Sequence, residues 1–229
     1  MKRVVILTGA GMSAESGIST FRDSNGLWEN HRIEEVATPE AWERNPDMVL
    51  EFYNQRRKQL FEVEPNAGHR SLVRLEKKFD VQIVTQNVDD LHERAGSSQV
   101  LHLHGELKKA RSTLDPNLVY TLDHWELKPG DKCEKGSQLR PHIVWFGEAV
   151  PMIDTAAELM KMADVFMVIG TSMVVYPAAG LIHYVKREIT KYYVDPKAFA
   201  VHGVSNLEVI RGKAGEVLPG LVDRLLKEA

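Results

Sequence analysis

The passage that most constrains this chain is the run from Val4-Val5-Ile6-Leu7 into Thr8-Gly9-Ala10-Gly11. A short aliphatic and β-branched run with no polar face predicts a buried strand, and the glycines predict a tight turn at its end. Parallel sheets of α/β proteins bind ligands at such strand ends. Two glycines let the backbone approach a diphosphate without a Cβ in the way, and Met12 to Ser16 can start a helix whose free N–H groups face the anion before Gly17 breaks it. Glycine turns after strands are common in this fold class, so the turn alone names no ligand. The ordinary dinucleotide fingerprint would accept Ala14 as its third small residue, but it also needs a second strand ending in an acid about twenty residues on. No such strand is visible in the sequence.

With 229 residues and 43% hydrophobic content, the chain is long and apolar enough to bury one large core with an inserted lobe. Its 29 basic and 32 acidic residues leave a net charge of −3, which argues against nucleic acid as a partner. The start MKRVVILTGAG imitates a signal peptide only faintly, and no run approaches the roughly twenty apolar residues of a membrane span, so no membrane is expected. A single cysteine, Cys133, excludes an internal disulfide and favours a reducing, cytoplasmic setting.

Further elements follow from punctuation and period. Thr38-Pro39-Glu40 reads as a helix start. Pro46 to Val63 is expected to be an amphipathic helix carrying Val49, Phe52, Tyr53, Leu60 and Phe61, and Pro65 ends it. Asn66 reads as the N-cap of another helix, with His69, Leu72, Leu75 and Phe79 on one face and His69 structural. Val81 to Thr85 and Gln99 to Leu103 read as strands, Pro151 to Met162 as a helix, and Asp164 to Ile169 as a central strand ending in Gly170-Thr171-Ser172. Tyr192-Tyr193-Val194 is a further strand, and Glu216 to Lys227 a last amphipathic helix. Asn87 or Asp89 can cap a helix over Leu91 to Ala95. His102 and His104, at i and i+2, would point the same way on a strand, but a third metal ligand is missing nearby. Val144-Trp145-Phe146 can be a buried strand.

The residues after the glycine turn carry a longer pattern. Ser13, Ser16, Gly17, Ile18, Phe21 and Arg22, followed by Gly26-Leu27-Trp28, complete GAGxSxxSGIxxFR, which resembles the first signature of the sirtuins, NAD-consuming protein-lysine deacylases. TQNVDDLHERAG from Thr85, LHLHGEL from Leu101, VWFGE from Val144, and Gly170-Thr171-Ser172 with Val175-Tyr176-Pro177 resemble further sirtuin signatures. The resemblance implies that Gly9, Ala10, Gly11 and Ser13 lie on the diphosphate side of NAD, with Phe21 and Arg22 in a mobile loop over the cofactor. It implies Gln86 and Asn87 near the ribose, Asp89 on the nicotinamide carboxamide, and His104 as catalytic base with Asn87 assisting. Gly170, Thr171 and Ser172 would serve the adenosine side. Asp195, where the family often has asparagine, and Ala214, which would close the adenine pocket, complete the cofactor set. Val144, Phe146 and Gly147 would flank an acyl-lysine peptide paired as an added strand.

The main departure lies between residues 105 and 143. Sirtuins usually carry two CxxC pairs there around a structural zinc. This chain has Ser112 where the first cysteine is expected, Cys133 alone, and Gly136 where a second pair would need its thiol. A substitute set of Cys133, His124 and His142 fits no familiar spacing. No metal is expected, and the lobe is expected to rest on apolar contacts from Leu114, Leu118, Val119, Tyr120, Leu122, Trp125 and Leu127.

Tyr53 and Arg56 stand at i and i+3 on one helix. Spacing alone is met by a core tyrosine with Arg56 on a solvated edge, whereas FYNQRRKQL resembles the bacterial sirtuins of the desuccinylase and demalonylase class, whose YxxR pair binds an acyl carboxylate. The expected fold is α/β, a Rossmann-like parallel sheet with helices on both faces and a smaller inserted lobe, in one unit spanning 1–229. The large lobe would comprise 1–29, 81–104 and 147–229, and the small lobe 30–80 and 105–146. The implied activity is NAD-dependent removal of acetyl, succinyl or malonyl groups from lysines of proteins or peptides, giving nicotinamide and O-acyl-ADP-ribose. Rival readings are a protein mono-ADP-ribosyltransferase and a non-catalytic NAD or ADP-ribose sensor, and the intact His104, Asn87 and Asp89 argue against the sensor. The sequence says nothing of oligomeric state.

Overall fold

In the computed structural model, residues 1–19, 27–28 and 31–228 are described, with 27–28 as backbone only. Phe21, Arg22 and Gly26 lie outside the described residues. The chain runs through β1 (Arg3–Thr8), β2 (Leu27–Trp28), β3 (His31–Arg32), α1 (Ile33–Val36), α2 (Pro39–Arg44), α3 (Pro46–Glu62), α4 (Ala67–Leu75), β4 (Asp80–Thr85), α5 (Leu91–Ala95) and β5 (Val100–His102). It continues through β6 (Gly105–Ser112), β7 (Val119–Thr121), β8 (Leu139–Ile143), α6 (Ile153–Lys161), β9 (Val165–Ile169), β10 (Thr190–Val194), β11 (Leu207–Ile210) and α7 (Ala214–Glu228).

Six of these strands form one sheet in the order β11-β10-β9-β1-β4-β5, and every pairing in it is parallel. This is a doubly wound order that reverses between β1 and β9, so the ligand crevice is expected at the C-terminal ends of those two strands. Ile6 pairs with Ile83, and Leu101 stands opposite Val84 on the next strand. Both faces are covered. Val4, Ile6, Ile83, Met167 and Val194 pack against Leu72 and Leu75 of α4 and Leu218, Leu221 and Val222 of α7. Val5, Leu7, Phe166 and Val168 pack on the other face against Ala156 and Met160 of α6 and Leu181 and Ile182 of a 3-10 segment, Ala178–Tyr184. Because α4 lies on the sheet, the part of 30–80 from Ala67 onward belongs to the large lobe's helical layer, unlike the division drawn from the sequence. Helix formation after β1 is also shorter than expected: Ala10–Met12 and Ala14–Ser16 are 3-10 turns, closed by Gly17 at φ +97°.

Local signals account for the helix starts. Thr38 and Asn45 cap α2 and α3 through bonds from Ala41 N and Met48 N, each at 3.1 Å, with proline at the first position of both helices. Asn66 caps α4 and also donates to Met12 O at 2.8 Å, which ties the helix start to the turn after β1.

The small lobe holds a sheet the sequence did not reveal, β7-β6-β8, antiparallel throughout. Val144-Trp145-Phe146 is not a strand; β8 stops at Ile143. Leu122 and Leu127 are buried with Leu50, Ala110, Cys133 and Leu139, and Leu118 and Tyr120 pack on them. Leu114, Val119 and Trp125, offered above as core, are instead exposed. Their places are taken by polar braces from α3. Arg57, fully buried, donates to Leu107 O at 2.5 Å, Trp125 O at 2.6 Å and Asn54 Oδ1 at 2.9 Å. Asn54 in turn binds both backbone groups of Leu127, at 2.9 and 3.0 Å. Burial lowers the Arg57 pKa to about 10, so the group stays charged at neutral pH.

The positions where sirtuins carry zinc cysteines do not suit that metal here. Ser112 Oγ accepts from Leu114 N and Asp115 N, each at 3.1 Å, and Cys133 donates its S–H to the same oxygen at 3.3 Å. Lys135 pairs with Asp115 at 2.7 Å across the two turns. His124, exposed, is bonded to its neighbour Asp123. One thiol already engaged by a hydroxyl does not make a tetrahedral site. Tag-free protein is therefore expected to carry far less than one zinc per chain by elemental analysis and to keep its Tm when a chelator is added. Near-stoichiometric zinc with a chelator-lowered Tm would contradict this reading of the lobe.

Candidate functional site

The site forms where four neighbouring strands of the large sheet end together. Gly9 N donates to Ile169 O at 3.0 Å, Gly11 N to Gly170 O at 2.8 Å, Gln86 N to Thr8 O at 2.9 Å, and Gly170 N to Val194 O at 2.9 Å. The turns after β1 and β9 touch. A Cβ on Gly9 would stand 2.7 Å from Thr171 Cβ, one on Gly11 2.8 Å from Gly170 Cα, and one on Gly170 2.2 Å from Met12 N. The demand for glycine therefore comes first from one turn lying on the other, a reason the sequence reading had not given. The backbone left without side chains is the kind that can approach a diphosphate.

Thr171 Oγ1 accepts from Gln86 Nε2 and from Met173 N, each at 3.2 Å, and Tyr193 Oη donates to Thr171 O at 2.8 Å. Gln86 and Gly170-Thr171-Ser172 are thus neighbours across β4, β1 and β9. Asp195 follows β10; its Oδ1 accepts from Lys197 N at 2.8 Å. Ala214, buried, opens α7, where the carboxylate of Glu15 accepts from Gly215 N at 2.7 Å. That brings the α7 start onto the turn after β1 and supplies a negative charge to a helix N-terminus.

Ser13 is the hub of the deeper half. Asn87 Nδ2 donates to its Oγ at 3.1 Å, and the hydroxyl lies near enough to buried Asp89 to favour its carboxylate. Burial pushes the Asp89 carboxyl above its ordinary range, with the Ser13 bond opposing. Asp89 Oδ1 also accepts from Leu91 N at 3.2 Å, a turn bond just ahead of α5; the cap position itself is Asp90, so neither Asn87 nor Asp89 caps the helix as the sequence suggested. His69 reaches the same hub, with Nε2 3.5 Å from Ser13 Oγ. Its Nδ1 accepts from Asn66 N at 3.3 Å, so Nε2 carries the proton. The helical period had marked His69 only as a core position; a Ser-His contact between segments 56 residues apart leaves no local signal.

His104 sits just past β5. Its Nδ1 is 3.0 Å from Gln86 O, and since a carbonyl only accepts, Nδ1 holds the proton and Nε2 a lone pair. Burial lowers its pKa, the Gln86 bond acting the other way. His102 differs. Its Nδ1 donates to Asn87 O at 3.0 Å and its Nε2 meets Glu93 at 2.8 Å; burial disfavours its charge, but Glu93 outweighs burial and the pKa is raised. Glu93, His102 and Glu106 are the only His, Cys or carboxylate group among the described residues close enough to share a metal ion. Lys109 pairs with Glu106, and the two carboxylates beside His102 favour its protonated form.

The small lobe closes on this edge. Val144 N donates to His104 O at 2.9 Å, Phe146 N to Ala37 O at 3.0 Å, and Trp145 N to Glu148 at 2.8 Å. All three N–H groups of this segment are used within the chain, so a peptide added as a strand cannot take them. Phe146 is 44% exposed, and Gly147 follows at φ +91°. Tyr53 and Arg56 are both buried on α3, so Arg56 does not lie on the solvated edge that helix spacing allowed.

Comparison with known proteins fits this geometry. A profile described as the Sir2 family matches residues 9–177. Over 231 residues the chain is 54% identical to an NAD-dependent protein deacylase of Bacteroides thetaiotaomicron, with 99% of each covered. The chain belongs to the Sir2 family. A deacylase of the same description from Helicobacter pylori strain 26695 is 55% identical over 231 residues, with 100% of each covered. Among solved structures, a Sir2 homologue–NAD complex superposes with a TM-score of 0.89 at 43% identity, covering 99% of this chain and 90% of that one. A Sir2–p53 peptide–NAD+ complex gives a TM-score of 0.79 at 28% identity, covering 98% and 92%.

Beneath the site lies a buried polar layer. His69 and His92 meet edge to face at 4.8 Å, and His92 Nε2 is 3.1 Å from Thr8 Oγ1, which donates to Thr85 Oγ1 at 2.8 Å. Burial lowers the His69 pKa to about 4 and holds His92 well below its ordinary value. Between about 4 and the usual 6.5 the unfolded chain binds more protons than the folded one, so stability rises with pH across that window. Asp89, shifted upward, acts in the opposite sense nearer the carboxylate range. The His69 contribution is expected to be complete above pH 6.5 and to shrink by about 3 kcal/mol on acidification to about 4. Urea titrations of wild type and His69→Gln check this: the wild type should lose more stability between pH 7 and 4.5 than the variant. Parallel losses would place the titration elsewhere.

Proposed function

We propose that this chain removes acyl groups from protein lysines with NAD as co-substrate, and that His104 is the general base. The supporting observation is the tautomer of His104: its Nδ1–H is held by the Gln86 carbonyl, and burial keeps the ring neutral, so Nε2 is bare at the pH where a base must work. The named activity of the Bacteroides and Helicobacter relatives supports the same reading. The NAD and p53-peptide complexes of the Sir2 relatives support NAD and an acylated protein or peptide as the two reactants.

The residues fit that cofactor. Turns without side chains at Gly9, Gly11 and Gly170, with the Thr171 hydroxyl between them, suit a diphosphate and its adenosine end. When bound, NAD supplies an activated ribose carbon, nicotinamide as leaving group and ribose hydroxyls to receive the acyl group. Asn87, fixed through Ser13, presents an amide to the ribose side. Asp89, buried and held by Leu91 N, offers a carboxyl to an amide partner such as a carboxamide. His104 takes a proton at Nε2. Val144, Phe146 and Gly147, in the segment bonded to His104 O, would flank an acylated peptide beside it.

Purified protein incubated with NAD and acyl-lysine peptides should release nicotinamide and O-acyl-ADP-ribose together. Labelled protein in place of deacylated peptide would favour ADP-ribosyl transfer, and binding without turnover a sensor. His104→Ala is expected to reduce deacylation by about 10²- to 10⁴-fold while NAD binding persists. Turnover within a few-fold of wild type would remove His104 from the role.

The acyl preference is the finer part of the proposal. Tyr53 and Arg56 lie one helical turn apart on α3, and the Arg56 charge acts on the Tyr53 hydroxyl. A guanidinium beside a phenol suits a distal carboxylate, as in succinyl-lysine, which a neutral acetyl group lacks. Arg56→Met is expected to lower kcat/KM for succinyl-lysine about 10- to 100-fold more than for acetyl-lysine, the worth of one hydrogen bond to a charged group. Equal losses on both substrates would return Arg56 to a structural role.

A further inference from the structure

The geometry points to Trp145 as a positioning residue for acyl selection: its indole N–H occupies the acceptor side of the Tyr53 hydroxyl and turns the phenol's proton toward the incoming carboxylate. The inference rests on the reading that Tyr53 and Arg56 recognise an acidic acyl group. Trp145 Nε1 lies 3.0 Å from Tyr53 Oη, and an indole nitrogen only donates, so the tyrosine oxygen is the acceptor. Tyr53 is fully buried, and among the described residues no acceptor meets its own proton. A buried donor of this kind calls for a partner. Burial also pushes the Tyr53 pKa up, so the proton stays on the oxygen and is there to donate.

Trp145 is itself held. It is 2% exposed, and the Arg140 guanidinium carbon lies 3.3 Å from its ring centroid. Arg140 grips Glu148 with both terminal nitrogens, at 2.8 and 3.1 Å, and Arg111 reaches the same carboxylate at 3.0 Å. Glu148 closes the loop by accepting from Trp145 N at 2.8 Å. Ring and backbone of Trp145 are thus fixed by one Arg-Glu pair, and the indole cannot swing away from Tyr53 without breaking it. The clamp leaves Arg56 and the His104 base untouched, so it should act on KM for one acyl class and not on the chemical step.

The test compares succinyl- and acetyl-lysine versions of one peptide on wild type, Trp145→Phe, Tyr53→Phe, Arg56→Met and the Trp145→Phe/Tyr53→Phe double variant. Trp145→Phe keeps an aromatic ring and removes the donor. The expected result is a 5- to 10-fold fall in the succinyl-to-acetyl ratio of kcat/KM, carried by KM, with the double variant no worse than Tyr53→Phe alone. If Tyr53→Phe and Arg56→Met lower the ratio and Trp145→Phe does not, the positioning role is overturned and the acyl reading stands. If neither Tyr53→Phe nor Arg56→Met changes the ratio, the acyl reading falls and this inference with it. A merely structural loss would depress both substrates alike. Should Trp145→Phe not fold, Arg140→Lys leaves the indole in place while loosening its clamp, and an unchanged ratio there overturns the proposal equally.

Discussion

The contact on which the rest of this structure depends is that between the turns after β1 and β9, on either side of the point where the strand order reverses. Side chains are excluded there by geometry: Gly11 and Gly170 are so close that either Cβ would overlap the other turn's backbone. Two consequences follow together. The sheet ends stay hydrogen-bonded beyond the last strand residues, and a strip of bare amides is left at the mouth of the crevice. The need for packing and the need for a phosphate-accepting surface select the same residue type, so the motif is read equally well as structure or as function until its neighbours are known.

The second constraint is the connection between lobes. The end of the inserted sheet is closed by Ser112, Cys133 and the Lys135–Asp115 pair. The stiffness needed near the site comes instead from α3. Arg57 and Asn54 bind backbone groups of residues 107, 125 and 127, whereas Tyr53, one face over, binds Trp145. A buried guanidinium held by carbonyls has no carboxylate to share its desolvation, which makes it costly to build and costlier to remove. One helix thereby joins the inserted sheet to the segment that borders His104.

The parts of this architecture legible in the sequence were those whose environment is uniform along the element. β1, β4, β9 and β10 are mostly buried on both faces and show as short, largely apolar runs, interrupted only by Gln82 in β4 and opened by Thr190 and Lys191 in β10, and each is followed by polar or glycine residues that the turn requires. β6 was hidden because Glu106, Lys108, Lys109 and Arg111 alternate only loosely with Leu107 and Ala110 on a half-solvated sheet. β8 carries Pro141 in mid-strand and β11 is four residues at the sheet edge, so neither presents a period. The same distinction applies to the site. His104, Asn87 and Asp89 sit in signatures that survive as contiguous strings. His69, Arg57 and Trp145 act across 50 or more residues of chain, and nothing in their immediate neighbours announces the partner.

The histidines show how far placement, and not residue type, decides chemistry. His69, His92, His102 and His104 all lie within or beside one site, yet their surroundings do not treat their protons alike. His92 and His69 are buried against hydroxyls and each other and are held neutral. His102 faces Glu93, which raises its pKa against the effect of burial, while a backbone carbonyl fixes its other nitrogen. Only His104 combines a fixed Nδ1 proton with an Nε2 that has no acidic neighbour. Two rings alike in anchoring Nδ1 on a backbone carbonyl are shifted in opposite directions, because Glu93 stands beside His102 and not beside His104. The proposed choice of His104 over His102 as base thus follows from the position of a single carboxylate, and a glutamate introduced beside Nε2 of His104 is expected to move its pKa upward, as Glu93 does for His102.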